Sequence, residues 1–407
     1  MPLSATVSDL AGRRLGVFFG AYFALVGIIA PYLPLYFAHR GLSGVEIGLL
    51  IALGQAMRMV GPNLWGWLAD RTGHRTTILR ATSLALLASF ALLVAPGGFG
   101  FVFAAMLLVN FFQTAQMPIA EALASAQLRG QADAPKRYGR LRVFGSLAFV
   151  AVVLCAGPLF DLVGMQAALW FCIALALLMF GASFGVIEQG ATELPHERVS
   201  VRARLRESRV RWFFVSAALM VFAHGAMYAY LSLYLAQLGY SKTAIGVFWV
   251  VSVVLEIGFF LTQGKWFSRF GVFRLMTFSF VVAAVRFLLI AELATVWWIL
   301  VLAQAMHAVT FAVHHSASIL TIQRWFPGRA AARGQALYIS TAYGFGGTTG
   351  SLVAAWLWSS YGPSWAFIAG SAGAVVGGWA AHRMRCADRD RAGPHTLNFQ
   401  IEGNVKQ

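Results

Sequence analysis

The chain has 407 residues, of which 59% are hydrophobic and only 11% charged, and the mean hydropathy is +0.70. Soluble domains carry about 25% charged residues, so this composition excludes an ordinary soluble enzyme, a disordered chain and a small disulfide scaffold. The formal net charge of +16 then needs an explanation other than nucleic acid, and its placement along the chain gives one.

Hydrophobic runs in chain order predict twelve membrane helices near 15–38, 44–69, 76–96, 99–126, 140–164, 166–188, 211–238, 243–268, 272–293, 296–325, 333–361 and 364–385. With both termini on the inner, cytoplasmic side, 27 of the 31 Lys and Arg fall on that side. Arg40 and Lys242 fall in outer loops, and Arg58 and Arg286 lie within the membrane. The positive-inside rule accounts for this asymmetry, so the charge reports orientation and contact with anionic lipid rather than nucleic acid. A bacterial inner (plasma) membrane location follows as an expectation. Arg13-Arg14 before an apolar run looks like a signal-peptide start. The run is too long, however, and contains Pro31 and Pro34, which marks a retained first helix. Cys155, Cys172 and Cys386 form no CxxC pair and no disulfide framework.

The first and second halves repeat. Residues 30–73 align without gaps on 228–271, an offset of 198, with 12 identities in 44 positions. Several of these are polar or glycine residues in loops: Gly41/Gly239, Ser43/Ser241, Arg71/Arg269 and Gly73/Gly271. An even number of helices lies within the offset, so both copies share one orientation, and a binding site is expected between them near the midplane. The expected units are residues 1–188, a cytoplasmic linker 189–211, residues 212–385, and a disordered tail 386–407.

The loop after the second helix reads Gly66-Trp67-Leu68-Ala69-Asp70-Arg71-Thr72-Gly73-His74-Arg75. It resembles the G-x-L-A-D-R-x-G-R/K-x signature of the major facilitator superfamily. The second copy keeps Gly264, Arg269 and Gly271 but has Ser268 in place of the acid. Glycine permits close helix approach and tight turns. Asp70 can accept from a neighbouring helix N-terminus or an Arg, so Gly66, Asp70, Arg71, Gly73 and Arg75 form a candidate conformational latch.

Charges inside a membrane cost at least ~2.5–3.5 kcal/mol each at a helix centre and mark candidate function. Arg58, Glu121, Glu256 and Arg286 qualify, with Arg142 if the fifth helix carries it inward. His224, His307, His314 and His315 add titratable rings. Arg58 and Glu256 stand 198 apart and so occupy equivalent repeat positions, facing one cavity from opposite halves.

The segment Pro118-Ile119-Ala120-Glu121-Ala122 and the segment Gly139-Arg140-Leu141-Arg142-Val143-Phe144-Gly145 look like the P-x-x-E-A and G-R-x-R-x-F-G segments of the lactose permease group. In that group the Glu and second Arg bind substrate, which implies the same for Glu121 and Arg142. Glu256, Arg286 and His307 match its helix-8 Glu, helix-9 Arg and helix-10 His. Thr310 stands where the sugar symporters carry a proton-bearing Glu, and Phe149 stands where they carry a Trp that stacks on sugar. With Arg58 and His307-Ala308-Val309-Thr310-Phe311 added, the pattern is more similar to the phenylpropionate permease branch.

The resemblance implies an all-α membrane protein of twelve helices in two six-helix halves, importing an organic substrate with protons by alternating access. If Glu121 pairs with Arg142 and Glu256 with Arg286, Arg58 is left for an incoming carboxylate. Aromatic side chains at Tyr32, Tyr36, Tyr230, Tyr234, Phe149 and Phe311 would accept an aromatic acid. Glu256, Glu121 and His307 are the proton-coupling candidates, because a carboxylate's proton affinity rises when it is desolvated away from an Arg. A sugar or nucleoside symporter, a drug/proton antiporter and a non-transporting membrane sensor are the alternatives. No metal site, cofactor, ATP-binding lysine or catalytic set is expected, and the chain is expected to work as a monomer.

Overall fold

The computed structural model describes residues 3–128, 134–188, 202–328 and 330–392, and among these it contains helices and no strands. The helical rods are α1 (Leu3–His39), α2 (Gly44–Thr72), α3 (Arg75–Leu92), α4 (Phe99–Gln127), α5 (Ala134–Val163) and α6 (Ala167–Ser183). A single turn at Arg202–Leu205 precedes α7 (Ser208–Gln237), α8 (Lys242–Phe270) and α9 (Val272–Leu293). The rod α10 (Trp297–Trp325) and the next, α11 (residues 330–361), each contain a π-helical stretch, at Ala308–Val313 and Ile339–Gly346. The last is α12 (Pro363–Ala392). Eight of the described helices are long and apolar enough to cross a bilayer. Large apolar side chains such as Leu162, Leu261, Trp297 and Val375 face outward from the bundle. An outer surface of this kind is stable against acyl chains and unstable against water.

The repeat is written into the turns. Gly41 and Gly239 take positive φ (84° and 88°), as do Gly73 and Gly271 (67° and 78°), a conformation that costs glycine nothing. Ser43 and Ser241 cap α2 and α8, their hydroxyls accepting from the Glu46 and Ala244 amides at 3.3 and 3.1 Å. At the first cap Glu46 also accepts from the Ser43 amide at 2.8 Å, which completes a capping box. Polar and glycine identities therefore recur at the offset of 198 because each closes a turn or starts a helix.

The rods α1–α6 pack among themselves, as do α7–α12, and the two groups meet mainly through α2 with α11, α5 with α8 and α1 with α7. These contacts concentrate at the end of the bundle that carries the short turns 40–43 and 238–241. There Gly48 admits the Tyr230 hydroxyl and Ala355, and Gly157 admits the backbone of Thr243. Asp161 at the end of α5 accepts from the Lys242 and Thr243 amides, each at 2.9 Å, and so caps α8 across the group boundary. Within the first group α4 packs on α1, α2 and α3, and within the second the start of α11 packs on the end of α10. The groups are thus joined at the turn end.

One boundary differs from expectation. Residues 386–392 continue α12 rather than opening a disordered tail. Arg209 holds Asp388 at 2.6 Å and Glu207 at 2.9 Å, and Met384 is packed into the bundle, so the last turns have partners. Residues 189–201 of the expected linker and 393–407 of the tail lie outside the described residues.

Candidate functional site

Arg58 of α2 is exposed, and its guanidinium carbon lies 5.6 Å from the centroid of the Tyr343 ring on α11. No carboxylate of the described residues lies within ion-pair distance of it. Tyr343 and Tyr228 of α7 each lie within electrostatic reach of both Arg58 and Glu256. The two repeat-equivalent charges therefore approach one space from opposite groups. On the first group's side, Tyr22 of α1 lies within reach of Arg58, Glu121 and Arg142. Arg142 also acts on His315 of α10 across the gap. Together these side chains border one region between the groups at mid-bundle, the candidate chamber.

Glu121 and Arg142 form the ion pair that the sequence suggests, at 3.2 Å, with Tyr138 donating to the same carboxylate oxygen at 3.1 Å. Both charged side chains are over 40% exposed, so water screens the pair and it adds less than ~1 kcal/mol. A pair this weak can open to a ligand at little cost.

Glu256 and Arg286 do not pair. Glu256 instead meets His307 Nε2 at 2.9 Å, and both side chains are nearly buried. Arg286 is fully buried. Its Nε donates to the Ala303 carbonyl at 2.7 Å, and its terminal nitrogens reach Thr310 Oγ1 at 3.1 Å, Met227 Sδ at 3.1 Å and Gln304 Oε1 at 3.4 Å. His224 completes the cage. Its Nδ1 lies 2.8 Å from the Met220 carbonyl, which can only accept, so Nε2 carries the lone pair that faces Arg286 and Thr310. Arg286 is thus sealed within the second group, and the substrate role expected of it is not supported by this geometry. Thr310 supplies a hydroxyl that can accept from Arg286 while donating onward to His224 or to the His307 carbonyl.

Four tyrosines and one phenylalanine also stand away from the chamber. Tyr32 and Tyr230 are fully buried at the turn end, where their hydroxyls donate to backbone carbonyls. Tyr234 donates to the Ala291 carbonyl at 3.1 Å, and Tyr36 packs on Phe37. Their i, i+4 spacing does not give them one shared role: Tyr32 and Tyr230 reach across to the other group, whereas Tyr234 bonds and packs within its own. Phe149 is buried against the Gly27 backbone of α1. The aromatic side chains bordering this region are instead Tyr22 and Tyr228, with Phe311, while the Tyr343 ring lies against the Arg58 guanidinium. The sequence carries a weak sign of these: a polar aromatic at mid-depth in each of three helices. The two π-helical stretches hold Phe311 and Tyr343, and such insertions recur at functional sites.

The signature loop sits at the other, basic end of the bundle, which carries the arginine-rich connections. Asp70 pairs with Arg75 at 3.0 Å, Arg71 lies over the Trp67 ring at 5.3 Å, and Gly73 turns the chain at positive φ. A Cβ on Gly66 or Gly264 would meet nothing, so no helix of the other group presses on either position here. Glu188, which the sequence did not single out, caps α3 by accepting from the Arg75 and Thr76 amides.

Residues 13–369 match the MFS_1 like family. The chain is 30% identical over 341 residues to a probable 3-phenylpropionic acid transporter of Escherichia coli (strain K12), covering 82% of this chain and 87% of that one. It is 27% identical over 352 residues to a maltose permease of Geobacillus stearothermophilus, covering 84% and 86%. Among solved structures, the nucleoside transporter NupG superposes with a TM-score of 0.80 over 92% of this chain and 98% of that one. At 17% identity that likeness speaks for the fold alone. An inward-facing, unoccupied bacterial homologue of the lysosomal transporter Spinster gives 0.67 at 13% identity, covering 93% and 96%. With most of its length matched, an all-helical bundle and a lipid-facing perimeter, the chain belongs to the MFS_1 like family and is a multi-pass membrane transporter of the major facilitator type.

Proposed function

We propose that this transporter imports a small aromatic carboxylate together with protons. The observation that carries the reading is Arg58. Its guanidinium stands open in the chamber, while both nearby carboxylates are already engaged, Glu121 by Arg142 and Glu256 by His307. A substrate carboxylate would satisfy Arg58 through two parallel hydrogen bonds. The ring of such a substrate would lie among Tyr22, Tyr228 and Phe311. The name of the Escherichia coli relative fits this chemistry.

The basic end is then cytoplasmic by the positive-inside rule, both termini lie on that side, and the membrane is the inner membrane of a bacterium. The conformation described is closed outside. Residues 1–188 and 212–385 are the two rocking halves, 189–211 joins them, and one chain suffices for transport. Glu256 with His307 is the proton-carrying unit, with Glu121 as the second candidate. The hydrogen bond between Glu256 and His307 can hold one proton at either end, and the unit is nearly closed to water.

Uptake of radiolabelled 3-phenylpropionate into proteoliposomes, with and without an inward pH gradient, tests the reading. Accumulation that depends on the gradient and is lost in Arg58→Ala is the expected result. Gradient-driven accumulation of maltose or a nucleoside with no uptake of the acid would replace it with the sugar or nucleoside reading. That second reading draws on the half-exposed Glu121–Arg142 pair, whose donors and acceptors suit hydroxyl groups.

A further inference from the structure

Arg58 is long, flexible and without an ion-pair partner among the described residues, yet a site that selects carboxylates needs its guanidinium in one place. Rotamer freedom in an arginine side chain amounts to about 2 kcal/mol of entropy, and a floppy cation would lose much of its binding strength on docking a ligand. The structure contains a support for it. The guanidinium rests near the Tyr343 ring, 5.6 Å from its centroid. A guanidinium that meets an aromatic face uses its π surface there and keeps its in-plane N–H donors for other partners.

The ring is itself fixed. Tyr343 Oη lies 3.2 Å from His315 Nδ1, and Tyr338 Oη lies 3.4 Å from the same nitrogen. His315 in turn is stacked on Phe311 at 6.0 Å and 8°, and Phe311 on His307 at 5.3 Å and 12°. Three parallel rings thus stack along α10, the His307 and Phe311 rings bracing His315, and His315 braces Tyr343. Tyr338 is buried and meets Tyr343 edge to face at 5.8 Å, which adds a second wall. Behind the ring, Gly344 admits Met59, the residue next to Arg58, so α2 and α11 approach closely at this point. The π-helical stretch of α11 sets Tyr343 at this point of contact.

We propose that Tyr343, held by His315, is the positioning residue for Arg58, and that this platform gives the chamber its preference for a carboxylate over an uncharged analogue of the same shape. The inference rests on the carboxylate reading above. It also links the halves: the anion receptor is Arg58 of the first half on a platform from the second, so it is assembled only while α2 and α11 are in register. Neither Tyr343 nor His315 needs to touch the carboxylate.

The test is equilibrium binding of 3-phenylpropionate and its primary amide to the purified full-length chain in nanodiscs. The wild-type chain should bind the acid more tightly than the amide. Tyr343→Leu should weaken acid binding about tenfold and leave the amide within about twofold, since it removes the cation–π support and nothing that the amide uses. Tyr343→Phe keeps the ring but frees it from His315 and should weaken the acid about threefold, with the amide again unmoved. It is also the variant to rely on if Tyr343→Leu does not fold.

In an Arg58→Ala background, Tyr343→Leu should weaken acid binding no further, because a platform without its cation supports nothing. Equal weakening of acid and amide, or losses that add in the double variant, would overturn the platform while leaving the carboxylate reading in place. A wild-type chain that binds acid and amide equally would overturn both.

Discussion

Tyr32 and Tyr230 stand 198 residues apart and make the same bond in opposite directions. Tyr32 donates to the Lys242 carbonyl at 3.3 Å, and Tyr230 donates to the Gly44 carbonyl at 2.7 Å, where residue 242 is the repeat equivalent of residue 44. Each hydroxyl reaches its carbonyl over a glycine, Gly246 for Tyr32 and Gly48 for Tyr230, themselves an equivalent pair. The turn end is thus closed by two copies of one contact about the pseudo-twofold axis.

A side chain at either glycine would occupy the space of the tyrosine hydroxyl. Gly48→Leu or Gly246→Leu should hold the turn end open. Uptake is expected to fall more than about tenfold, because alternating access needs both closures. Substrate binding should persist. The check is uptake alongside labelling, by an impermeant thiol reagent, of a cysteine placed at Ala38 in a background without the native cysteines. Labelling that does not rise in the leucine variants would count against this closure.

Glu256→Gln keeps the shape of the side chain and its hydrogen bond to His307 but cannot release a proton. Uphill accumulation on a pH gradient should be abolished, while exchange of labelled for unlabelled substrate across the membrane continues at an appreciable rate. Accumulation at wild-type level in this variant would remove Glu256 from the coupling.

Arg286 offers a contrast with Arg58. Its removal should act on stability, since Thr310, Gln304 and the Ala303 carbonyl would lose a buried donor. Arg286→Met is expected to destabilise the chain by about 2–3 kcal/mol, read as a lower unfolding temperature in detergent. Arg58→Ala should leave that temperature near wild type and raise KM. If Arg286→Met unfolds like wild type and instead loses substrate affinity, the cage is not its main role.

Asp70, at the end of α2, pairs with Arg75 at the start of α3 at 3.0 Å. Asp70→Asn should shift the balance between inward- and outward-open states without altering folding. Spin labels across the basic end would show the redistribution, and unchanged distance distributions would argue against a latch.

Much of this was legible from residue order, and each part for a physical reason. The excess of apolar residues requires a lipid solvent. The glycine and serine identities at a fixed offset mark turns and caps that recur, and these are the positions where backbone geometry restricts the choice of residue. Arg58, Glu121, Arg142 and Glu256 stood out because charge is costly at mid-helix. The Glu121–Arg142 pair joins consecutive helices, and its motif spacing pointed to it.

Pairings across the second half were not legible. Glu256 could meet Arg286 or His307 on grounds of depth alone, and the choice depends on helix rotation. Helix rotation is set by how His224, Gln304 and Thr310 pack around a guanidinium. The same holds for the tyrosines. Their spacing fixes a shared face but leaves open whether that face borders the chamber or the closure.

Sequence by itself thus determined the membrane setting, the doubled architecture and the charges at mid-helix, because these depend on composition and on local backbone needs. Tertiary structure alone decided which charge is sealed, which is open and which aromatic rings surround it, because those depend on the mutual rotation of helices distant in sequence.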